Sequence, residues 1–319
     1  MNRKTLVLGG VLIALIALAF LYQGPLKKWQ NSLGKPSNFL AKIDLAKIDK
    51  IEVISGSNTV VLNKQGGLSA GLAQATSAGS VETKWKYNNS KDFYVDPAIM
   101  AKVLESLDKA KTSELELVSN NPERKSEFKI DSAGLTVRVY QADKKVADFI
   151  IGGVASGEYG SSYISTPESR ATYLVRVDFI GAFRRTEWRD LTIFSTAQEK
   201  LNKIRFQYSN REFTVELKDG KWAGILPQKF AVNKEKIEKI AQIMSNLKAV
   251  EIPEQTFSKT GLNKHLIIIE AKGEAIDNIL MIGENLDGRS YAKRGESDNI
   301  YLINKSDRDE LDKWIWQLK

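Results

Sequence analysis

The strongest constraint on this chain is that part of its pattern occurs twice. Lys84-Trp85 is followed eight residues later by Phe93 and then by Val95-Asp96. Lys221-Trp222 is followed eight residues later by Phe230 and then by Val232-Asn233, a shift of 137 residues throughout. A helical pattern comes next in both copies. Met100, Val103, Leu104, Leu107 and Ala110 fall on one face, as do Ile237, Ile240, Ala241, Met244 and Leu247. This is the spacing of a helix that buries one stripe. Asp96 and Asn233 are residue types that cap a helix by accepting from its first free N–H groups. Pro97 suits the first helical position, where no N–H is needed. A supersecondary pattern repeated at this spacing predicts two similar modules.

The correspondence continues with small shifts. Ile130-Asp131 matches Leu262-Asn263, Leu135–Tyr140 matches Leu266–Ala271, and Ile151-Gly152 matches Ile282-Gly283. Ser162-Tyr163 matches Ser290-Tyr291, and Tyr173-Leu174-Val175 matches Tyr301-Leu302-Ile303. Asp178 and Ser306 both stand where a closing helix would be capped. Lys203–Leu217 reads as two alternating strands around Ser209-Asn210-Arg211, and Asp219-Gly220 is a two-residue hairpin signal leading into the Trp222 strand. In the first copy the strands are Lys50–Ser55 and Thr59–Asn63, and Gln65–Val81, rich in Gly, Ala and Ser, reads as an inserted loop. Each copy therefore reads β-β-β-α-β-β-β-β-α, which predicts the α+β class with mostly antiparallel strands. Trp85, Trp222, Phe93 and Phe230 recur in place and are expected in the core. The predicted organisation is a membrane segment at 1–23, a stalk at 24–45, a first repeat at 46–195 and a second at 196–319.

The N-terminal segment decides the expected location. Arg3 and Lys4 precede an uncharged run from Thr5 to Leu26. Its apolar part contains Leu6, Val7, Leu8, Val11, Leu12, Ile13, Leu15, Ile16, Leu18, Phe20, Leu21 and Tyr22. About 17 apolar residues are the short limit for a helix that crosses a bilayer. A signal anchor with its positive end in the cytoplasm is one reading. A cleaved signal peptide is the other, because Ala17-Leu18-Ala19 fits the small-x-small cleavage rule. The anchor is preferred because the apolar run continues past that cut, and Tyr22, Trp29, Lys27 and Lys28 are placed like interfacial residues. Both readings export the rest of the chain. The expected location is the bacterial inner membrane, single-pass, with the repeats on the periplasmic side.

Composition narrows the chemistry. The chain has no Cys and one His, which excludes disulfides, thiolate zinc sites and cysteine catalysis. The formal charge of +8 includes Arg3 and Lys4, and the remaining basic residues are interleaved with acids, as in Lys234-Glu235-Lys236-Ile237-Glu238-Lys239. That is a solvated helix face, not the basic stripe with aromatics that binds nucleic acid. Gly67-Leu68-Ser69-Ala70-Gly71 has the nucleophile-elbow string but lies in a loop of small residues, without the strand and helix the elbow needs. His265, the one possible base, opens a strand pattern. Gly152-Gly153 with Gly157 and Gly160 lacks a following helix and a Gly-Lys-Ser/Thr string, so it reads as a hairpin and not as a phosphate loop. Glu114 and Glu116 alternate with Leu115 and Leu117, as on a half-buried strand. No catalytic, cofactor or metal residue is predicted. In the last segment, Leu311, Trp314, Ile315 and Leu318 share a face expected to pack on the second module, and Trp316 lies off it.

Several short strings, taken in order, carry a resemblance. They are Ile48-Asp49-Lys50-Ile51, the Trp strand with its Val-Asp helix start, Phe128-Lys129-Ile130-Asp131, Ile151-Gly152, Tyr173-Leu174-Val175 and Trp188-Arg189-Asp190. Together with the N-terminal run they resemble the bacterial family called domain of unknown function 4340, over roughly Ile43 to Leu318. The resemblance implies a component auxiliary to ABC transporters of the gliding-motility type, and no catalytic residues. The expected protein is a non-enzymatic, membrane-anchored accessory of an ABC-type system. Its partners would be the lipid bilayer and a membrane complex, with no cofactor, nucleic acid or metal. A glycan- or lipid-binding module of the cell envelope is the alternative.

Overall fold

The computed structural model describes residues 38–65, 83–88, 93–155, 158–264 and 267–319. The expected anchor at 1–23 and the greater part of the stalk lie outside the described residues, as do Gly67–Gly71, Gly157 and His265. The chain divides into two units. Unit 1 runs to Asn89 and resumes over Pro97–Trp188; unit 2 takes Ser90–Asp96 and Arg189–Lys319. The division thus falls between Trp188 and Arg189, ahead of the expected boundary at 195/196.

The α+β expectation is corrected by the observed pairing. The protein is mostly β, with two large antiparallel sheets and five short helices among the described residues. None of those helices is long and apolar enough to cross a membrane. Each unit has one helix of more than two turns, and the closing helices have only five and seven residues. The expectation gave those helices too much weight against eight strands in each large sheet. The end of the second helical stripe, Leu247, is itself in a strand.

In unit 1, β1 (Lys50–Ser55), β2 (Asn58–Lys64) and β3 (Trp85–Tyr87) precede helix α1 (Pro97–Thr112). Then come β4 (Glu116–Ser119), β5 (Leu135–Gln141), β6 (Lys144–Val154), β7 (Ser162–Ser165), β8 (Thr172–Val175) and the short helix α2 (Phe179–Phe183). The sheet order is β3-β2-β1-β5-β6-β7-β8-β4. Ile51, Val53, Val137, Val139, Phe149 and Ile151 are buried at alternate positions. Met100, Val103, Leu107 and Ala110 of α1 are buried as well. A sheet with one face on the core produces this alternation.

Unit 2 first forms a small sheet from β9 (Thr192–Ser195) and β14 (Asn246–Lys248). Its large sheet uses β10 (Leu201–Tyr208), β11 (Glu212–Lys218), β12 (Lys221–Leu226), β13 (Phe230–Ala231), β15 (Ile267–Gly273), β16 (Ile276–Leu286), β17 (Arg289–Arg294) and β18 (Tyr301–Asn304). The order is β13-β12-β11-β10-β15-β16-β17-β18. Read as β12-β11-β10-β15-β16-β17-β18, it repeats the β3-β2-β1-β5-β6-β7-β8 order of unit 1. Helix α3 (Lys234–Ser245) buries Ile237, Ile240, Ala241 and Met244, and α4 (Lys305–Leu311) and α5 (Ile315–Leu318) close the chain.

Local signals act as their chemistry predicts. Asp219 and Gly220 both have positive φ, +48° and +73°, as a two-residue hairpin turn of the primed type needs. Asn233 caps α3 by accepting from the Lys236 N–H at 3.2 Å, and Asp178 caps α2 by accepting from the Gly181 N–H at 2.7 Å. The cap of α4 is Asn304 and not the Ser306 position, and no side chain bonds there.

The Ile-Gly pair is a repeated device. A Cβ on Gly152 would stand 2.2 Å from the Phe128 carbonyl oxygen, and one on Gly283 would stand 2.1 Å from that of Thr260. The Gly153 and Glu284 N–H groups donate to those same two carbonyls, each at 2.7 Å. A turn backbone is thereby pressed onto the sheet in both units, and only glycine leaves room for it.

Candidate binding surface on the second unit

The repeated aromatics divide. Trp85 and Phe93 are buried, whereas Trp222 and Phe230 are half-buried, so the shared core role holds for the first copy only. Phe93 and its neighbours pack in unit 2. Val95 bridges Arg189, the Asp190 N–H donates to the Tyr94 carbonyl at 2.8 Å, and the Phe93 ring meets Tyr301 edge-on at 6.2 Å. The Arg189 guanidinium lies 5.4 Å from the Phe93 ring. In the second copy the matching Phe230–Ala231 adds to β12 as β13, with its ring over Gly224.

Among the described residues, no group of three or more His, Asp or Glu is placed to hold a metal ion. Glu116 pairs with Arg176 at 3.3 Å; Leu115 is buried, as on a half-buried strand, whereas Leu117 is 52% exposed. Charged side chains on the half-exposed faces of the sheets pair both across neighbouring strands and along one strand. In unit 1, Glu52 and Arg138 face each other across β1 and β5, 3.8 Å apart, and Arg138 also reaches Asp148 at 3.5 Å. Burial raises the Glu52 carboxyl, but hydrogen bonds from Tyr140 and Lys50 outweigh it and hold the group below its ordinary value. In unit 2 the matching pair is reversed in sign, with Arg205 facing Glu270 across β10 and β15 at 4.0 Å. Lys272 adds contacts to Glu270 at 2.9 Å and to Asp277 at 3.5 Å.

The exposed apolar groups of unit 2 include Leu226 at the end of β12, and Trp314 and Trp316 in the last segment. Trp314 is 44% exposed, so it does not join Leu311 and Leu318 in the core as expected. Its position is nonetheless fixed. The Arg211 guanidinium is sandwiched between the Tyr208 ring at 3.7 Å and the Trp314 ring at 4.2 Å. Arg211 also pairs with Asp312 and donates to the Lys313 carbonyl at 3.2 Å. The Tyr208 hydroxyl donates to the Leu311 carbonyl at 2.7 Å and accepts from the Lys313 N–H at 3.1 Å. Burial pushes that hydroxyl up to about 12. Sequence reasoning missed this clamp: Arg211 was visible as a turn residue, but nothing local ties it to Trp314.

A groove of about 490 Å³ opens beside β12 and β13, lined by Lys218, Ala223, Ile225, Lys229, Phe230 and Ala231 among others. Its lining combines the apolar Ala223, Ile225, Phe230 and Ala231 with Lys218 and Lys229. A family model described as Domain of unknown function (DUF4340) matches residues 85–264 and 222–315. The chain belongs to that family. The two matches start at Trp85 and Trp222, 137 residues apart, in the third strand of each unit's large sheet in this DUF4340 protein. No curated protein and no solved structure matches the chain.

Proposed function

We propose that this protein is a non-enzymatic, membrane-anchored accessory component on the extracytoplasmic side of the bacterial inner membrane, working with an ABC-type transport system. The observation that carries the reading is the disposition of charge. Among the described residues, Glu52 and Asp148 pair with Arg138 across the first sheet, and Glu212 and Glu270 pair with Arg205 across the second, as in a folded scaffold. The charged N-terminus followed by the Leu6–Tyr22 apolar run supports the membrane setting. The anchor would keep the two units at high local concentration beside a membrane complex. Purification in mild detergent after crosslinking in living cells tests this. A transporter subunit should co-purify with the full chain; recovery of the chain free of any membrane protein would sink the proposal.

The groove beside β12 and β13 favours a second reading, a glycan- or lipid-binding module. Under that reading Ile225→Asp weakens ligand retention and leaves the crosslinked complex intact. Under the first reading the same variant has no effect on lipid or glycan binding.

A further inference from the structure

Two chain segments of unit 2 lie side by side. The Asn233 N–H donates to the Leu318 carbonyl at 2.7 Å, and the Lys236 ammonium donates to the Lys319 carbonyl at 2.8 Å. Residues 226–236 carry three lysines and one glutamate, and residues 313–319 carry two lysines and no acidic side chain. Two of these lysines are engaged, Lys234 by Glu238 at 3.6 Å and Lys313 by Glu310 at 3.2 Å, which leaves Lys229, Lys236 and Lys319 against Glu235. The same two segments carry the most exposed large apolar groups of the unit, with Trp316 69% exposed and Leu226 53% exposed. The Arg211 sandwich holds the Trp314 ring at the start of α5, the short helix that carries Trp316.

We propose that this patch, comprising Leu226, Lys229, Lys236, Trp314, Trp316 and Lys319, is a contact surface for an anionic phospholipid bilayer. Indole rings favour the headgroup boundary, with an apolar body and a polar N–H. Lysines placed around them bury their stems along apolar surface and hold their charge at the lipid phosphates. Lys229, Lys236 and Lys319 against Glu235 match a negative surface, and the exposed Trp316 indole fits a fluid interface, which demands no shaped pocket. The inference rests on the membrane reading above for its setting only.

The test uses full-length protein with Trp29→Phe and Trp222→Phe, reconstituted into liposomes of brominated phosphatidylcholine with or without phosphatidylglycerol. Bromine quenches indoles at the interface, and Trp85 and Trp188 are buried in the protein. In the mixed liposomes, W314F/W316F should lower the quenched fraction at least twofold. Leaving out phosphatidylglycerol, or raising salt to screen charge over a few ångströms, should do the same. The variant L226S/K229E, which leaves the indoles in place, should also reduce quenching. Quenching unchanged by these substitutions, or equal in the two lipid mixtures, would overturn the proposal. So would unchanged quenching together with loss of a membrane-protein crosslink in W316F, which would assign the patch to a protein partner. Carbonate washing separates the two readings, because a chain released by the wash is not anchored. The patch is then scored by flotation with added vesicles, where K229E/K236E must weaken binding to the anionic mixture at least tenfold.

Discussion

The two sheets share one strand order but fill their cores from different places. In unit 1 the large rings come from β6 and α2. Phe149 meets Phe179 at 5.3 Å, Phe179 meets Phe183 at 5.9 Å, and Phe39 joins Phe149 at 6.4 Å. The β1–β2 hairpin beside them is aliphatic, with Ile51, Val53, Val60 and Leu62 buried. In unit 2 the hairpin carries the rings. Phe206 stacks on Phe213 at 4.5 Å, and Phe213 meets Phe230 edge-on at 6.3 Å. Leu280 then lies in β16, and α4 buries only Leu311. Volume removed at one position has been restored at another, as close packing requires. The surface ladder differs in the same spirit, with Glu52 facing Arg138 where Arg205 faces Glu270. What both units hold in common is backbone: the strand order, the Ile-Gly approach and the left-handed residues Lys129 (φ +56°) and Gly261 (φ +71°) that precede it.

Phe206→Ala should give the largest effect. It empties the stacked pair and should destabilise unit 2 by about 3–5 kcal/mol. Denaturant unfolding followed by unit-specific probes checks this. If the units unfold independently, only the unit 2 transition moves, and a single shared transition would show that they are coupled. The Tyr208 hydroxyl, pushed up to about 12 by burial, comes next. Its folded value lies above the ordinary value near 10. The stabilisation is therefore fully present below about pH 10 and is lost as pH rises through about 12. A displacement of that size corresponds to roughly 3 kcal/mol. Stability measured across that window should fall in the wild type and much less in Tyr208→Phe.

Gly152→Ala and Gly283→Ala should each cost about 1–3 kcal/mol, because the new Cβ meets a carbonyl of the backbone and not the end of a flexible side chain. Equal losses in the two units would show that the approach is equivalent in energy as well as in geometry. The smallest effect belongs to the reversed ladder. Arg138→Glu should cost about 1 kcal/mol, and adding Glu52→Arg should restore part of it, since cross-strand charge pairs of this partly exposed kind contribute little. A double-mutant cycle measures this coupling. Failure of the exchange to restore any stability would point to Asp148, 3.5 Å from Arg138, as the partner that matters.

The sequence by itself determined what depends on near neighbours. Helical spacing marked the buried stripes of α1 and α3, alternation marked β1, β10 and β11, and Asp219-Gly220 marked a hairpin. The recurrence of these signals 137 residues apart made the repeat legible, because each unit must place the same residue types on its buried face. Of the candidate surface, only Trp316 stood out. The tertiary structure decided the rest. It made the chain mostly β, because the weight of strands over helices follows from how many segments find partners far along the chain. It assigned Phe93–Asp96 to unit 2, although the sequence there copies Phe230–Asn233. It also turned Trp314 outward, held by an arginine about a hundred residues away in the chain. Periodicity records which side chains share a face; which surface meets that face depends on long-range contacts that no local window contains.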